Sequence, residues 1–397
     1  MKILMVSSYL PYPLISGGHV RLYNILKILS RNHQITLVCE KRSYQGKEDI
    51  AEVGKFCKEI IIIDRKKQWS INNIIKTGFS KYPFLITGHT FFQMKKNIEE
   101  ILKKEKFDLI HVETFYVMQN LPKTSIPIVL AEHNIEYLVY KRFRDEAPFF
   151  VRPFLNIDIF KLKKIEEESW RKASVVVTVS NQDKKNIQSK NNNVFVVPNG
   201  VDINKFQISN RKSQTTSNEK TVLFIGDFRW VENRDAARII LKEIWPAIES
   251  KIHSSELRVK LWVVGKNIPD SIKKLGTDRV VFDENAPSET SKIYERADLL
   301  LAPIRIGGGT SFKILEAMAS GVAVVTTRLG AIGIGAKDRK EVIIADDNQE
   351  FADNVIEVLN NKNLYGKIAE NARSFVEEKY NWENITKELE KAYRSVV

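Results

Sequence analysis

The stretch LLLAPIRIGGGTSFKILEAMAS, at residues 299–320, decides the fold of the second half of this 397-residue chain. It begins with the apolar run Leu299–Ala302, which is typical of a buried strand, and ends with the helical pattern Ser311–Ala319. Between them lie Gly307, Gly308 and Gly309. A strand, a loop and a helix in this order form one repeat of a parallel α/β sheet.

The loop and the start of the helix have the features of an anion site. Glycines let the backbone approach a ligand closely, and the N–H groups at the helix start, with Thr310 and Ser311, attract an anion. Lys313 lies in the first helical turn, and Arg305 enters from the strand side. These residues fit a diphosphate. Glu316, one turn further along, is placed to accept the two hydroxyls of a ribose; an ordinary exposed helix residue is the alternative.

Short apolar runs alternate with helical patterns on both sides of this stretch. The strand candidates of the second half are Val222–Ile225, Val259–Val264, Val280–Phe282, Leu299–Ala302, Val322–Val325 and Val342–Ala345. Those of the first half are Ile3–Val6, Ile35–Cys39, Ile60–Ile63, Leu109–Val112, Ile128–Ala131, Val175–Val179 and Val194–Val197. This alternation predicts an α/β fold in which each half is a doubly wound, Rossmann-like parallel sheet with helices on both faces.

Changes in composition predict the domain boundaries. We expect an N-terminal domain at 1–206, a linker at 207–220, a C-terminal domain at 221–379 and a last helix at 380–397. The linker is polar and has no apolar periodicity. Two such sheets are expected to face each other across a cleft, with ligands beyond the carboxyl ends of the strands. The last helix is predicted to cross back onto the first domain, and a plain surface helix is the alternative.

A second glycine-containing loop lies in the first half. Gly17 and Gly18 separate the first strand from the first helix, and Arg21 lies on the first turn of that helix. These residues form a second candidate anion loop, for an acceptor or a phosphate. A tight structural turn explains the two glycines equally well.

His133 is a candidate site residue of the first half. It follows the buried strand that ends at Ala131, and the carboxyl ends of strands in α/β sheets are where ligands bind. Glu132 and Glu136 are the predicted carboxylates that orient its ring, with surface charges as the alternative for both. A purely structural histidine is the alternative for His133.

The sequence Lys313–Gly321 (KILEAMASG) resembles the donor-site motif of glycosyltransferase family 4. Pro198–Asp202 (PNGVD) resembles the signature of that family at the junction of its two domains, and Tyr380–Trp382 resembles the start of its returning C-terminal helix. The enzymes of this family have the GT-B fold, use nucleotide sugars and retain the configuration of the transferred sugar.

The resemblance implies roles for named residues. The implied catalytic residues are His133, Arg305, Lys313 and Glu316. The implied donor-binding residues are Gly226, Arg229, Gly307, Gly308, Gly309, Thr310, Ser311, Lys313 and Glu316. The histidines show no HExxH or paired spacing, so no metal site is expected, and no cofactor is implied besides the nucleotide-diphosphate sugar as co-substrate.

The sequence departs from the family pattern at two places. Gly308 stands where the family usually has a glutamate that contacts the donor sugar, so the sugar is left open. Asp227 and Glu232 stand where an arginine and a lysine often follow the glycine at 226, and Arg229, Arg305 and Lys313 are the cations available instead. A subgroup with the pattern GxFxWxxN is the nearer match, through Gly226, Phe228, Trp230 and Asn233.

Composition and charge restrict the partners. The net charge is +13, and residues 1–200 hold 32 Lys and Arg against 20 Asp and Glu, so the first half carries the excess. Solvated lysine faces explain this charge, and an anionic partner is the alternative. No recognised nucleic-acid module is present, so nucleic acid is not expected as a partner. Trp69–Phe92 and Phe149–Trp170 are rich in aromatic residues; we expect most of them in the core, with an interfacial helix on an anionic membrane as the alternative.

The sequence therefore predicts a glycosyltransferase that moves a sugar from a UDP- or GDP-sugar to a hydroxyl of a glycan or lipid-linked acceptor. A nucleotide-sugar epimerase or hydrolase of the same fold, or an inactive nucleotide-sugar-binding protein, is the alternative. Cys39 and Cys57 are interpreted as reduced thiols, and no run of about 18 uncharged apolar residues occurs. The expected location is the cytoplasm, at the inner face of the cell membrane.

Overall fold

The computed structural model describes residues 1–65, 67–206, 219–252, 257–287, 289–306 and 310–397. The chain forms two units, one made of Met1–Pro198 with Ile385–Val397 and the other of Asn199–Asn384. Each unit has its own parallel sheet. No helix in these described ranges is long and apolar enough to cross a membrane.

The first unit contains a seven-stranded sheet in the order β3-β2-β1-β4-β5-β6-β7. The strands are β1 Lys2–Ser7, β2 Gln34–Lys41, β3 Glu59–Asp64, β4 Leu109–Glu113, β5 Ile128–Glu132, β6 Val175–Thr178 and β7 Val194–Val196. Every position of β4 and β6 is buried, as expected for strands covered on both faces. The predicted strands of the first half are confirmed.

The second unit contains a six-stranded sheet in the order β10-β9-β8-β11-β12-β13. The strands are β8 Glu219–Ile225, β9 Arg258–Val264, β10 Val280–Asp283, β11 Leu299–Ala302, β12 Ala323–Thr326 and β13 Ile343–Ile344. All neighbouring strands run parallel. The predicted α/β class and the strands of the second half are confirmed.

Helices connect the strands. In the first unit they are α1 Gly17–Leu29, α2 Lys47–Gly54, α3 Ile71–Phe79, α4 Phe84–Thr87, α5 Phe92–Lys104, α6 Glu136–Glu146, α7 Arg152–Lys172 and α8 Asn181–Gln188, with a 3₁₀ turn at Phe115–Asn120. In the second unit they are α9 Val231–Ile239, α10 Trp245–Ile252, α11 Asp270–Lys273, α12 Ser291–Tyr294, α13 Phe312–Ala319, α14 Arg328–Ile334, α15 Asn348–Asn360 and α16 Lys362–Lys379. A π-helical turn at Ile240–Ile244 joins α9 to α10, and α17 spans Trp382–Arg394.

The strand order reverses at one point in each sheet. In the first sheet this point lies between β1 and β4, and in the second it lies between β8 and β11. In doubly wound sheets, ligands bind at the carboxyl ends of the strands beside such a point. A ligand site is therefore expected in the loops that follow these four strands.

The two units divide between Pro198 and Asn199, whereas the predicted boundary follows residue 206. The Phe206 ring packs against Tyr294 with ring centres 6.0 Å apart, which attaches this segment to the second unit. A Cβ on Gly200 would lie 2.7 Å from the Trp382 ring, so the chain passes close against that indole. Of the predicted linker, residues 207–218 lie outside the described residues, and the remaining two are the first of β8.

The expected core position is wrong for many aromatic and aliphatic side chains of the first unit. Within Trp69–Phe92 and Phe149–Trp170, the exposed side chains are Trp69, Ile71, Ile74, Ile75, Phe79, Phe92, Phe149, Phe150, Phe154, Ile157 and Phe160. Periodicity alone shows that a helix has an apolar face, and it does not show whether another element covers that face.

A close approach of two loops in the second unit requires glycine. Gly265 follows β9, and a Cβ on it would lie 1.8 Å from the carbonyl oxygen of Gly226, which follows β8. The opposing atom is backbone, so a side chain at Gly265 forces the two loops apart. The Gly226 N–H also donates to the Val264 carbonyl oxygen at 3.0 Å, which holds the loops together.

We expect Gly265→Ala to destabilise the second unit by about 1–3 kcal/mol, the usual cost of overpacking. Urea denaturation followed by circular dichroism measures this change. Gly366→Ala is the matched control, because Gly366 lies in α16 with nothing within 4 Å of its added Cβ, and should be neutral or slightly stabilising. Equal effects of the two substitutions would contradict the close approach.

Candidate functional site

Lys313 is the cation at the centre of the candidate site in the second unit. It lies in the first turn of α13, and its Nζ donates to Asn233 Oδ1 at 2.7 Å. The same Nζ lies 4.8 Å from the centre of the Phe224 ring. Burial lowers the pKa of Lys313 to about 8, although the carboxylate of Glu232 acts in the opposite direction. The two named contacts of this ammonium are uncharged, so it is suited to an incoming anion.

Asn233, in α9, connects this lysine to the loop after β8. Its Nδ2 donates to the carbonyl oxygen of Asp227 at 2.8 Å, while its Oδ1 accepts from Lys313. A Cβ on Gly226 would lie 2.6 Å from Asn233 Cγ, so the predicted donor-binding glycine is in contact with this amide. The subgroup pattern contained Asn233 without assigning it a role. The structure places it at the centre of the site.

The two predicted arginines each lie beside a carboxylate. Arg229 Nε is 2.9 Å from Asp227 Oδ2, and Arg305 Nη2 is 2.8 Å from Asp235 Oδ1. Both arginine side chains are largely exposed. Asp235 lies two positions after Asn233 in α9, so this helix holds contacts to both Arg305 and Lys313.

Glu316 lies one turn after Lys313 in α13. Burial raises its pKa to about 7, while hydrogen bonds with Tyr294 and Thr290 and the charge of Lys205 act against burial. The Lys313 carbonyl oxygen lies 3.1 Å from Tyr294 Oη and is the alternative acceptor for the single hydrogen of that hydroxyl. The carboxyl group is therefore both protonated and ionised in substantial fractions near neutral pH. The sequence did not indicate Tyr294, because nothing in its spacing relates it to α13.

The loop before α13 is only partly described. Gly307, Gly308 and Gly309 lie outside the described residues. Ser311 is the N-cap residue of α13, and the carbonyl oxygen of Thr310 accepts from Asn199 Nδ2 at 3.2 Å. The helix therefore begins where the sequence predicts, with Lys313 in its first turn.

We expect Glu316→Gln to increase the stability of the second unit at pH 8 and to leave it nearly unchanged at pH 4. The pKa of about 7 lies above the value of about 4.3 for a free glutamate, so the folded chain binds more protons than the unfolded chain between these two pH values. Stability therefore falls as the pH rises from about 4.3 to about 7, and the glutamine removes this loss. We expect a gain of about 1–2 kcal/mol for this half-buried group at pH 8.

Urea denaturation at the two pH values measures this effect. Glu370→Gln, at an exposed position of α16, is the matched control and should have no effect at either pH. A gain that is the same at both pH values would contradict the raised pKa.

In the first unit, His133 belongs to a chain of buried hydrogen bonds. Its Nε2 lies 2.6 Å from Glu113 Oε1, and the other oxygen, Glu113 Oε2, lies 2.8 Å from His111 Nε2. His111 Nδ1 in turn lies 2.8 Å from the hydroxyl of Tyr393 in α17. An ionised Glu113 accepts from both Nε2 atoms, which leaves Nδ1 of His133 facing away from the carboxylate.

Glu113 ends β4 and is completely buried. Burial raises the pKa of Glu113, but the charge of His133 and the hydrogen bonds from His111 and His133 outweigh it, so the pKa lies below the usual range. The next residue, Thr114, has a φ of 68°, which is rare for a β-branched residue. Backbone strain of this kind is concentrated at functional sites.

The structure brings the loop at Gly17 and Gly18 close to His133. A Cβ on Gly18 would lie 3.1 Å from Tyr9 Oη and 3.5 Å from His133 Cε1. Tyr9 Oη donates to the Gly18 carbonyl oxygen at 3.2 Å. Gly17 is the first residue of α1, so a helix N-terminus lies beside the imidazole.

Three other predicted residues have different partners. The Arg21 guanidinium is buried and donates to the carbonyl oxygens of Val197 and Pro198, so these bonds connect α1 to the main chain after β7. Glu132 accepts from Trp170 Nε1 at 2.9 Å. Glu136 is near enough for the charge of His133 to act on its pKa, but the hydrogen-bonded partner of His133 is Glu113. Glu113 is not among the site residues that the sequence predicts. The signal that could have indicated it is the placement of His111 and Glu113 two positions apart, on one face of β4.

We expect Glu113→Gln to destabilise the first unit by about 3 kcal/mol at pH 7, because it removes the charge between two histidines. Since the folded-state pKa of Glu113 is depressed, its contribution is present above the unfolded pKa of about 4.3 and is lost as the pH falls further. The difference between wild type and variant should therefore narrow below pH 4.

Denaturation curves at pH 7 and at about pH 3 measure this difference. Glu100→Gln, on the exposed side of α5, is the control. A deficit that does not depend on pH would show that Glu113 is not ionised in the folded chain.

Comparisons with known proteins match both halves of the chain. A family model described as Glycosyltransferase Family 4 matches residues 15–205, and one described as Glycosyl transferases group 1 matches residues 219–361. An uncharacterized 44.6 kDa protein in the cps region of Klebsiella pneumoniae is 26% identical over 96% of both chains. The lipopolysaccharide 1,2-N-acetylglucosaminetransferase of Salmonella typhimurium is 29% identical over 33% of this chain and 35% of its own.

A solved structure extends the comparison to the whole fold. HepE from Anabaena, crystallised in complex with UDP-glucose, is 16% identical, covers 100% of both chains and has a TM-score of 0.66. This likeness shows a common fold. The match at 15–205 falls in the first unit except for its last seven residues, and the match at 219–361 falls in the second unit.

Proposed function

Because the chain belongs to the group 1, family 4 glycosyltransferases and has their GT-B fold, we propose that it transfers a sugar from a nucleotide-diphosphate sugar to a hydroxyl group, with retention of configuration. The observation that carries this proposal is the placement of Lys313 beside Asn233, one helical turn before the half-buried Glu316. In this proposal the second unit binds the donor and the first unit binds the acceptor.

The donor diphosphate lies at the N-terminus of α13. The helix dipole and the N–H groups of its first turn favour an anion there, and the Lys313 ammonium adds a charge-assisted hydrogen bond. As the glycosidic bond breaks, negative charge grows on the diphosphate, and fixed cations stabilise that charge most in the transition state. The exposed side chains of Arg229 and Arg305 exchange their carboxylate partners, Asp227 and Asp235, for phosphate oxygens. These cations take the place that a metal ion has in other nucleotide-sugar enzymes.

Glu316 receives the ribose hydroxyls of the nucleotide. A carboxylate with a pKa of about 7 is poorly solvated, so it gains more from two hydroxyl donors than a fully exposed carboxylate does. The crystal structure of HepE with UDP-glucose supports a uridine nucleotide as one of the donors to test. The residue at 308 is glycine, so the sugar itself is left to the experiment.

His133 contacts the reacting sugar in this proposal. Glu113 fixes its ring, so that Nδ1 points away from the carboxylate and is available to a sugar hydroxyl. The N-terminus of α1 at Gly17 and Gly18 lies beside the same ring and receives an anionic group of the acceptor.

The acceptor is a glycan or a lipid-linked saccharide of cell-surface polysaccharide synthesis. The Klebsiella relative is encoded in a cps region, and the Salmonella relative acts in lipopolysaccharide synthesis by its name. The proposed location is the cytoplasmic face of the cell membrane, where the excess of Lys and Arg in residues 1–200 meets anionic lipids.

We expect Lys313→Ala and Glu316→Ala to reduce kcat/KM for sugar transfer by about 10²–10³-fold, as loss of a transition-state contact does. A thermal-shift screen against UDP-, GDP- and ADP-sugars first identifies the donor, because a bound ligand raises the melting temperature. Transfer is then assayed in EDTA, and the anomeric configuration of the product is read by NMR.

Lys274→Ala, at an exposed position after α11, is the matched control and should transfer at the wild-type rate. Wild-type kcat/KM in both site variants would contradict the donor site. Consumption of donor at the same rate without any acceptor would identify an epimerase or a hydrolase instead.

A further inference from the structure

Helix α3 has its apolar face on the outside of the first unit. Ile71, Ile74, Ile75 and Phe79 follow helical spacing along one side of it, and all four side chains are exposed, Phe79 to 94%. None of the residues of α3 is buried. A surface helix normally has the opposite arrangement, with its apolar side towards the core.

The polar side of α3 makes its contacts with the protein. Asn73 Nδ2 donates to the Gln68 carbonyl oxygen at 2.9 Å, and Thr77 Oγ1 lies 3.2 Å from Thr87 Oγ1 at the end of α4. These hydrogen bonds fix the rotation of the helix about its axis. The outward direction of its apolar face is therefore part of the fold.

The start of α7 repeats this arrangement. Phe154, Ile157 and Phe160 lie on one side of the helix and are exposed, whereas Ile159 and Leu162 on the other side are buried. Phe149 and Phe150, immediately before the helix, are also exposed.

Lys161 joins the two apolar faces. Its Nζ donates to the carbonyl oxygens of Thr77 and Ser80, at 2.8 Å and 2.9 Å, and so attaches α7 to the end of α3. The residues adjacent to this junction, Phe79 on α3 and Phe160 on α7, are both exposed. The two faces therefore adjoin at Lys161, and we refer to them together as the α3–α7 surface: Trp69, Ile71, Ile74, Ile75, Phe79, Phe149, Phe150, Phe154, Ile157 and Phe160.

The sequence around the α3–α7 surface carries an excess of positive charge. Residues 65–98 contain seven Lys and Arg and no Asp or Glu. Arg152, Lys163 and Lys164 add exposed cations along α7. The one carboxylate at the start of α7, Asp158, accepts from the Phe84 N–H at 2.8 Å and is thereby used within the protein.

We propose that the α3–α7 surface docks on an anionic lipid bilayer, with its Phe, Ile and Trp side chains in the interfacial region and its lysines on the lipid phosphates. Aromatic and aliphatic side chains bordered by Lys and Arg are the composition of helices that lie in a membrane interface. The centre of a protein–protein interface is instead depleted in lysine. The inference rests on the proposed function only in giving a reason for the docking, namely a lipid-linked acceptor.

Co-sedimentation of the full chain with vesicles tests the docking. We expect binding to vesicles of equal parts phosphatidylglycerol and phosphatidylcholine, at least tenfold weaker binding to phosphatidylcholine alone, and weaker binding at about 0.5 M than at about 0.1 M NaCl. The triple variant Phe79→Ser, Phe154→Ser, Phe160→Ser should lower the partition coefficient at least tenfold and keep the melting temperature, because all three side chains are exposed.

Matched controls separate this surface from general properties of the chain. Tyr44→Ser with Val281→Ser changes two exposed apolar positions elsewhere and should leave vesicle binding unchanged. Lys67, Lys76 and Lys164 changed to Gln should weaken binding. The control is a triple Lys→Gln variant in the second unit, at the exposed positions Lys274, Lys362 and Lys367. This control should weaken vesicle binding much less.

The outcomes that overturn the proposal are distinct. The first is that the wild-type chain does not bind the anionic vesicles, and the second is that the triple Ser variant binds them as strongly as the wild-type chain does. The third is that light scattering without lipid shows a dimer, which the triple Ser variant converts to a monomer while its vesicle binding is unchanged. The last result would assign the surface to a second copy of the chain. Glu316→Ala should bind vesicles as wild type does, so a failure of the donor site and a failure of docking are read separately.

Discussion

The hydrogen bond between Lys313 and Asn233 is the contact on which the arrangement of the second unit's site depends. It joins the first turn of α13 to α9, and through the other end of the Asn233 amide to the loop after β8. Gly226 has no side chain where this amide approaches it, and Gly265 has none where the loop after β9 meets the loop after β8. A lysine at this position keeps its charge at neutral pH, although burial brings its pKa down to about 8.

The first unit fixes its site with a buried charge. Glu113 holds His111 and His133 at once, and each of its oxygens is assigned to one imidazole. The two units therefore stabilise their polar groups in different ways, one with a neutral amide beside a cation and the other with an anion between two rings. Both arrangements lie where the strand order of the sheet reverses, so the same rule of the fold places them.

Much of the fold could be predicted because strands covered on both faces consist of continuous apolar runs, as at Leu299–Ala302. The position of Lys313 in the first turn of α13 followed from the glycines before it. The sequence did not reveal that Glu113 holds His133, because the two are 20 positions apart and meet only when β4 and β5 pair. It also led to a wrong position for Phe79 and Phe154, since an apolar helix face has the same spacing whether protein or solvent lies against it.

Tyr393 ends the chain of hydrogen bonds that begins at His133, although it lies near the end of the sequence. The residues from Ile385 onward are part of the first unit, so that unit is assembled from segments on either side of the second unit in the sequence. During synthesis on the ribosome, the first unit therefore cannot reach its final packing until the second unit has been translated in full. A truncation that removes Tyr393 therefore takes a hydrogen-bond partner from His111, although the two residues are 282 positions apart.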